Sequence, residues 1–203
     1  MPHRIPSNIA RGWLELDPVY LDTETTGIEN AQVCDIAILA ADGAPIVDTL
    51  VRPTISIPRS ATAIHGITDE MVAGAPSFAN IWPAIHAALS NRWVVVYKAD
   101  YDRARLWDSA QAVGIDSQRF IFGDLSLSRS HEPGAPHWLC AMELYAEFHG
   151  ELDAFHDNYR WQKLGNALAQ CGLTLPGDLP LHRALADAEA ARRLVLYMAE
   201  AAS

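Results

Sequence analysis

Positive charge is what this 203-residue chain has least of: 15 Lys and Arg stand against 25 Asp and Glu, a formal net charge of −10. Non-specific coating of duplex nucleic acid runs on Lys and Arg neutralising phosphates, so that class of protein is excluded. An enzyme that acts on nucleic acid while bound metal carries the positive charge is not. Cysteine is scarce as well. Cys34, Cys140 and Cys171 are odd in number, far apart and form no C-x-x-C. They make neither a disulfide framework nor a thiolate zinc site, which fits a reducing cytosol. No apolar run approaches the ~18 residues of a spanning helix, and the start MPHRIPSNIARGW has no apolar signal core. These absences predict a cytoplasmic, soluble protein with no membrane partner. Repeats, charge blocks and low-complexity tracts are missing too, so residues 1–203 are expected to form a single domain. No G-x-S-x-G elbow and no phosphate-binding Gly-Lys-Ser/Thr loop is present.

What the chain does have is apolar patterning: half of its residues are hydrophobic, enough to bury a core. Val19–Glu24, Val33–Ala41 and Ile46–Val51 read as strands, the last two joined at Asp42-Gly43, a strong hairpin signal. From Ser77 to Leu89 the period changes, and Phe78, Ile81, Trp82, Ile85, Ala88 and Leu89 share one helical face with Ser77 as cap. Trp93–Tyr97 reads as a buried strand, and Phe120–Phe122 as a short fifth one. Helices are expected over 101–113, 137–148, 161–170 and 184–201. Residues 123–160 hold Pro133, Gly134, Pro136 and many His and acidic residues, and are expected to form a surface excursion. The order predicts an α/β fold: one mixed five-stranded sheet flanked by helices on both faces.

Three places carry chemistry. In Leu21-Asp22-Thr23-Glu24-Thr25-Thr26-Gly27, Asp22 and Glu24 are two apart at a strand end, so both carboxylates project from one face. Neighbouring carboxylates resist ionisation unless a cation lies between them, and oxygen ligands suit a hard ion such as Mg²⁺ or Mn²⁺. Read alone, the pair equally describes a polar strand end in water. Asp102 follows the buried strand Trp93–Tyr97 into a helix start, the edge at which α/β sheets place their sites; the simpler reading of Asp100 or Asp102 is a helix cap. His182 precedes a long alanine-rich helix and Asp187 lies a turn further in, where an acid ordinarily complements the helix dipole.

In this order and spacing, the motifs resemble the DnaQ-like (DEDDh) 3′–5′ exonucleases of the ribonuclease H-like superfamily, over about residues 17–200. The first family motif is matched by Asp22, Glu24, Thr25 and Gly27, the second-motif acid by Asp102, and the third motif by His182 and Asp187. Ile64-His65-Gly66-Ile67-Thr68, followed by Pro76 and Phe78, also looks like the family's connecting segment. The resemblance implies a metal-dependent exonuclease that releases nucleoside 5′-monophosphates from the 3′ end of single-stranded DNA or RNA. It implies two divalent cations, Mg²⁺ or Mn²⁺, with Asp22 bridging them, Glu24 and Asp187 on the nucleophile side and Asp102 acting through water. His182 would be the general base. Thr25, Thr26, Gly27 and Ile28 would line the terminal-nucleoside pocket, His65 would touch a phosphate or a second strand, and Tyr101 would stack a base. Trp138 is open between stacking and core, and Trp161 is assigned to the core. Homodimer formation, as in some relatives, and association with a polymerase stay open.

One departure stands out. After Tyr97, where the family has Asn, this chain has Lys98. A strand-end lysine can simply extend into water, but an ammonium beside carboxylates would compete with metal for charge. The alternative function is therefore a catalytically weakened nucleic-acid-binding module of the same fold. His131-Glu132 with His137 has the wrong spacing for a zinc-protease helix, which Pro133 and Pro136 also forbid. His86 is assigned to structure or surface, and His3, His149 and His156 carry no informative spacing.

Overall fold

A computed structural model describes residues 4–123, 133–153, 158–177 and 179–201. Helix α1 (Arg4–Glu15) leads into three antiparallel strands, β1 (Val19–Thr25), β2 (Val33–Leu39) and β3 (Pro45–Leu50). The β2–β3 turn forms at Asp42-Gly43 as expected. Gly43 takes φ +93°, the Ala40 N–H donates to Ala44 O, and the Ala44 N–H donates to the Asp42 carboxylate at 2.9 Å. Short helices α2 (Arg59–His65) and α3 (Asp69–Val72) precede α4 (Phe78–Leu89). Ser77 caps α4 in a reciprocal box with Asn80, satisfying amides that would otherwise lack acceptors.

Strand β4 (Trp93–Val96) runs parallel to β1, then α5 (Ala99–Ala112) and α6 (Gln118–Phe122) follow. Strand β5 (His137–Cys140) pairs in parallel with β4 and is succeeded by α7 (Ala141–His149), the two-stranded arm β6 (Leu152–Asp153) and β7 (Asn158–Tyr159), α8 (Leu164–Cys171) and α9 (Ala184–Glu200). The sheet order is β3-β2-β1-β4-β5. One face packs Val19, Leu21, Ile36 and Ile38 against α4 and α5. The other packs Tyr20, Ala37, Leu39 and Val95 against α7 and α9. This is the expected mixed five-stranded sheet with helices on both faces, and β1 at its centre puts its chain end between two helical layers.

The fifth strand differs from expectation. Residues 120–122 lie in α6, where Ile121 is buried and Phe120 stacks on His86 at 4.2 Å. The edge strand is instead His137–Cys140, expected to open a helix. A four-residue apolar run has no period of its own; the unpaired edge of β4 decides it. The expected excursion 123–160 thus contains β5 and α7, with Met142, Leu144, Tyr145 and Phe148 in the core. His131, Glu132, His3 and His156 lie outside the described residues. Helix α1, absent from the sequence reading because Pro6 and Gly12 weaken the pattern, packs Ala10, Trp13 and Leu14 beside α9. Pro6 sits near the helix start, where a missing N–H costs little. Among the described residues no helix is long and apolar enough to cross a membrane.

Candidate active site

Strand alternation sets the first two ligands. Tyr20 faces the α9 layer, so Asp22 and Glu24 follow on the same side, one and two pleats along. A bulge between Glu24 and Thr25 shifts the register with β2, which resumes at Thr25 and Val33. Parallel β4 brings the start of α5 to the same sheet edge. Asp102, in the first turn of α5, is 3% exposed and accepts a 2.7 Å hydrogen bond from Thr23 Oγ1. It is not the helix cap: Lys98 holds that position, without a side-chain cap bond. At the start of α9, the Asp187 carboxylate accepts the His182 backbone N–H at 3.2 Å. His182 adopts φ +69°, a left-handed backbone uncommon outside glycine.

Asp22, Glu24, Asp102, His182 and Asp187 thus line one cleft of about 150 Å³, together with Lys98 and Leu164. Glu24, His182 and Asp187 each offer a ligand atom within 4.8 Å of the other two. Burial, then the charges of Asp102, Asp187, Glu24 and Asp35, drives the Asp22 pKa well above the carboxylate range. Burial, then Asp187, Asp35 and Asp102, pushes Glu24 up to about 8 against the opposing pull of Arg183. Asp102 is pushed up to about 7 by burial, opposed first by the Thr23 hydrogen bond and also by Lys98. Burial raises Asp187 as well, while the His182 N–H lowers it. Carboxylates that repel one another in this way are relieved by a divalent cation. The residues present therefore fit hard metal ions.

A second cleft of about 240 Å³ adjoins the first, sharing Glu24 and Tyr101. Thr25, Gly27, Ile28 and His65 line it, with Ser60, Ala61 and Ile64 opposite. Ile28 and Ile64 stand at its rim, 79% and 62% exposed. Thr26 points elsewhere: it is buried, and its hydroxyl accepts the Gln32 N–H at 3.0 Å. His65 borders the cleft but is occupied within the protein. Its Nδ1 accepts the Ile67 N–H, so the proton on Nε2 donates to the Thr25 carbonyl at 3.2 Å. Burial lowers its pKa and keeps it neutral. The ring thus braces the pocket wall with both nitrogens engaged within the protein, where a phosphate or second-strand contact was expected. Trp138 is tied to the Ile121 carbonyl at 3.0 Å, whereas Trp161 is 56% exposed and is not the core residue expected.

Sequence reasoning named Tyr101 only for base stacking and missed it, Arg105 and Ser109 as supports. Tyr101, Arg105 and Ser109 recur every four residues on α5 and fasten the loop after β1. The Tyr101 hydroxyl donates to Gly27 O at 2.7 Å, the Arg105 guanidinium donates to the Ile28 carbonyl, and Ser109 Oγ accepts the Val33 N–H at 2.8 Å. Asp35, buried on β2, accepts from Arg183 Nε at 2.8 Å. The four-residue spacing was the available signal; its partners lie some seventy residues earlier and were not.

Comparison with known proteins agrees with the geometry. The RNase T family model, described as exonuclease, matches residues 19–195. An uncharacterised exonuclease, CP81, of Escherichia phage 186 is 40% identical over 182 residues, 89% of this chain and 87% of the phage protein. Exonuclease X, solved in complex with 5′-overhanging duplex DNA, superposes with a TM-score of 0.58 at 25% identity, covering 91% of this chain and 99% of that one. The nuclease domain of 3′hExo, a DEDDh family member bound to rAMP, shares the fold with a TM-score of 0.63 at 17% identity and 92% coverage of both chains.

Proposed function

The chain belongs to the RNase T exonuclease family, and from that premise we propose that it hydrolyses single-stranded DNA or RNA from the 3′ end, releasing nucleoside 5′-monophosphates. The observation that carries this reading is the cleft in which four acids and His182 meet beside the pocket of Thr25, Gly27, Ile28 and Tyr101. Asp22, Glu24, Asp102 and Asp187 would hold two divalent cations, Mg²⁺ or Mn²⁺. When bound, such ions supply positive charge at the attacking and leaving oxygens of the phosphodiester.

His182 accepts a proton from the attacking water, whose oxygen forms the new bond to phosphorus. The bond from phosphorus to the 3′-oxygen of the preceding nucleotide breaks, and that oxygen takes up a proton. An imidazole suits the first task because it gains and loses a proton near neutrality. The exposed His182 ring reaches solvent, so its proton has a way out. The pocket orients the end: the Gly27 and Ile28 backbone, held by Tyr101 and Arg105, meets the terminal nucleoside, and Ile28 and Ile64 bracket its base. Held orientation of this kind can contribute a large part of a rate enhancement.

The test is product analysis on 5′-labelled single-stranded DNA and RNA with Mg²⁺ and Mn²⁺ in turn. Stepwise shortening with release of mononucleotides is expected, a circular single strand should resist, and Asp22→Ala should abolish release. Degradation of the circle, or equal behaviour of wild type and Asp22→Ala, would overturn the reading.

A further inference from the structure

A cavity of about 340 Å³ lies outside both clefts, on the β6–β7 arm, where Asp153, Asn158, Tyr159, Arg160 and Trp161 line it. Two hydrogen bonds hold the base of the arm. The Arg160 N–H donates to Glu151 O at 2.8 Å, and the Tyr97 hydroxyl donates to Gln162 O at 2.8 Å. Tyr97 and Leu164 both belong to the catalytic cleft. Trp161 is three residues from Leu164, so their Cα atoms are at most about 11 Å apart. The cavity wall at Trp161 and the cleft wall at Leu164 are therefore close along the chain and in space.

Strand β7 ends at Tyr159 and Lys163 is again extended where it precedes α8. Tyr159, Arg160, Trp161 and Lys163 are exposed while Gln162 is buried. Two rings and an ammonium thus decorate a path leading to the acidic cleft, in a protein poor in cations. Positions two apart on an extended chain are about 6.7 Å apart, roughly twice the ~3.4 Å step between bases in a strand. That spacing admits one base between Tyr159 and Trp161. Phosphate does not suit the cavity, because Asp153 forms part of its wall and the Arg160 guanidinium is already paired with Glu151 at 2.7 Å. A neutral base does, since every base has a stacking face for the two exposed rings.

We propose that the β6–β7 arm is a second nucleotide subsite, which takes an unpaired base of the strand whose 3′ end lies in the catalytic cleft, stacking it at Tyr159 and Trp161. This rests on the exonuclease reading and adds to it a preference for substrates long enough to reach the arm. Lys163 lies between the subsite and the cleft, where the intervening phosphates pass.

The test compares hydrolysis of a two-nucleotide and a ten-nucleotide single strand by wild type, Trp161→Ala and Trp161→Phe, with Mn²⁺. For wild type, KM should be lower on the longer strand. Trp161→Ala should raise KM on the ten-nucleotide strand about tenfold, the loss expected for one base–aromatic stack. Its kcat, and both constants on the short strand, should stay as in wild type, and Trp161→Phe should restore most of the loss. Equal KM values for wild type and Trp161→Ala on the long strand would overturn the subsite alone. So would a loss shared equally by both substrates, or a dimer that forms only with Trp161 present and shows no length dependence. Absence of hydrolysis of either strand by wild type would instead bring down the exonuclease reading, and the subsite with it.

Discussion

Arg183 Nε lies 2.8 Å from Asp35 Oδ2, joining the start of α9 to the middle of β2 across 148 residues of chain. The same carboxylate lies within reach of the Ala184 N–H at 3.4 Å. Asp35 is also the cross-strand partner of Glu24. One ion pair therefore ties the start of α9, with His182 and Asp187, to the strand beside the β1 acids, and the Arg183 charge opposes in part the Asp35 charge that reaches Glu24.

Arg183→Ala should destabilise the protein by about 1–3 kcal/mol, because it strips a buried carboxylate of its charged partner. The figure stays at the low end for such a pair because the Arg183 side chain is 38% exposed. Exonuclease activity should fall more than Arg192→Ala lowers it, since Arg192 pairs with Glu189 away from the cleft. Chemical denaturation and initial rates check both; an unchanged midpoint would refute the assignment.

Thr23→Val should slow hydrolysis at neutral pH by at least tenfold, the scale of one hydrogen bond to a charged group. Without the Thr23 hydroxyl, Asp102 loses a 2.7 Å hydrogen bond that favours its charged form, so protons compete better with metal for it. Part of the rate should return as pH increases. A pH–rate profile parallel to that of wild type would contradict this account.

Metal-free protein should lose stability as pH rises. Glu24 and Asp102 have folded-state pKa values of about 8 and about 7, against unfolded values of ~4.3 and ~3.9. Between these limits the folded state binds more protons, so its advantage is complete below about pH 4 and is lost as pH climbs through 7 and 8. Calorimetry in chelator should show a falling Tm from pH 5 to 8. Mn²⁺ at pH 8 should raise it again, because ions that bind only the native state stabilise it. Glu24→Gln should flatten the chelated profile; a wild-type profile already flat would count against a repelling acid cluster.

Lys98→Asn should lower the Mn²⁺ concentration needed for half-maximal activity by about two- to fivefold, since one partly exposed charge is worth up to ~1 kcal/mol. Lys98 lines the acid cleft, with its ammonium 5.7 Å from the centre of the Tyr101 ring, and its charge competes with cations there. A metal titration followed by Tm gives the same comparison without turnover. Identical curves for the two proteins, together with an unchanged rate at saturating metal, would remove Lys98 from the chemistry.

Much of this was written in local sequence. Strand alternation alone puts Asp22 and Glu24 on one face, and Ser77 and Asp42-Gly43 mark a cap and a turn, because each depends on residues within a few positions. The five residues of the cleft were legible only together, through the resemblance of their order and spacing to the DnaQ-like motifs; each alone also reads as a strand end, a cap or a dipole acid. Tertiary structure decided the rest. Whether Phe120–Phe122 or His137–Cys140 became the fifth strand depended on which segment met the open edge of β4. Whether His65 faced phosphate or the Thr25 carbonyl, and Trp161 the core or solvent, depended on neighbours that no local pattern identifies. A short apolar run or a single ring has several low-energy environments, and packing against distant segments chooses among them.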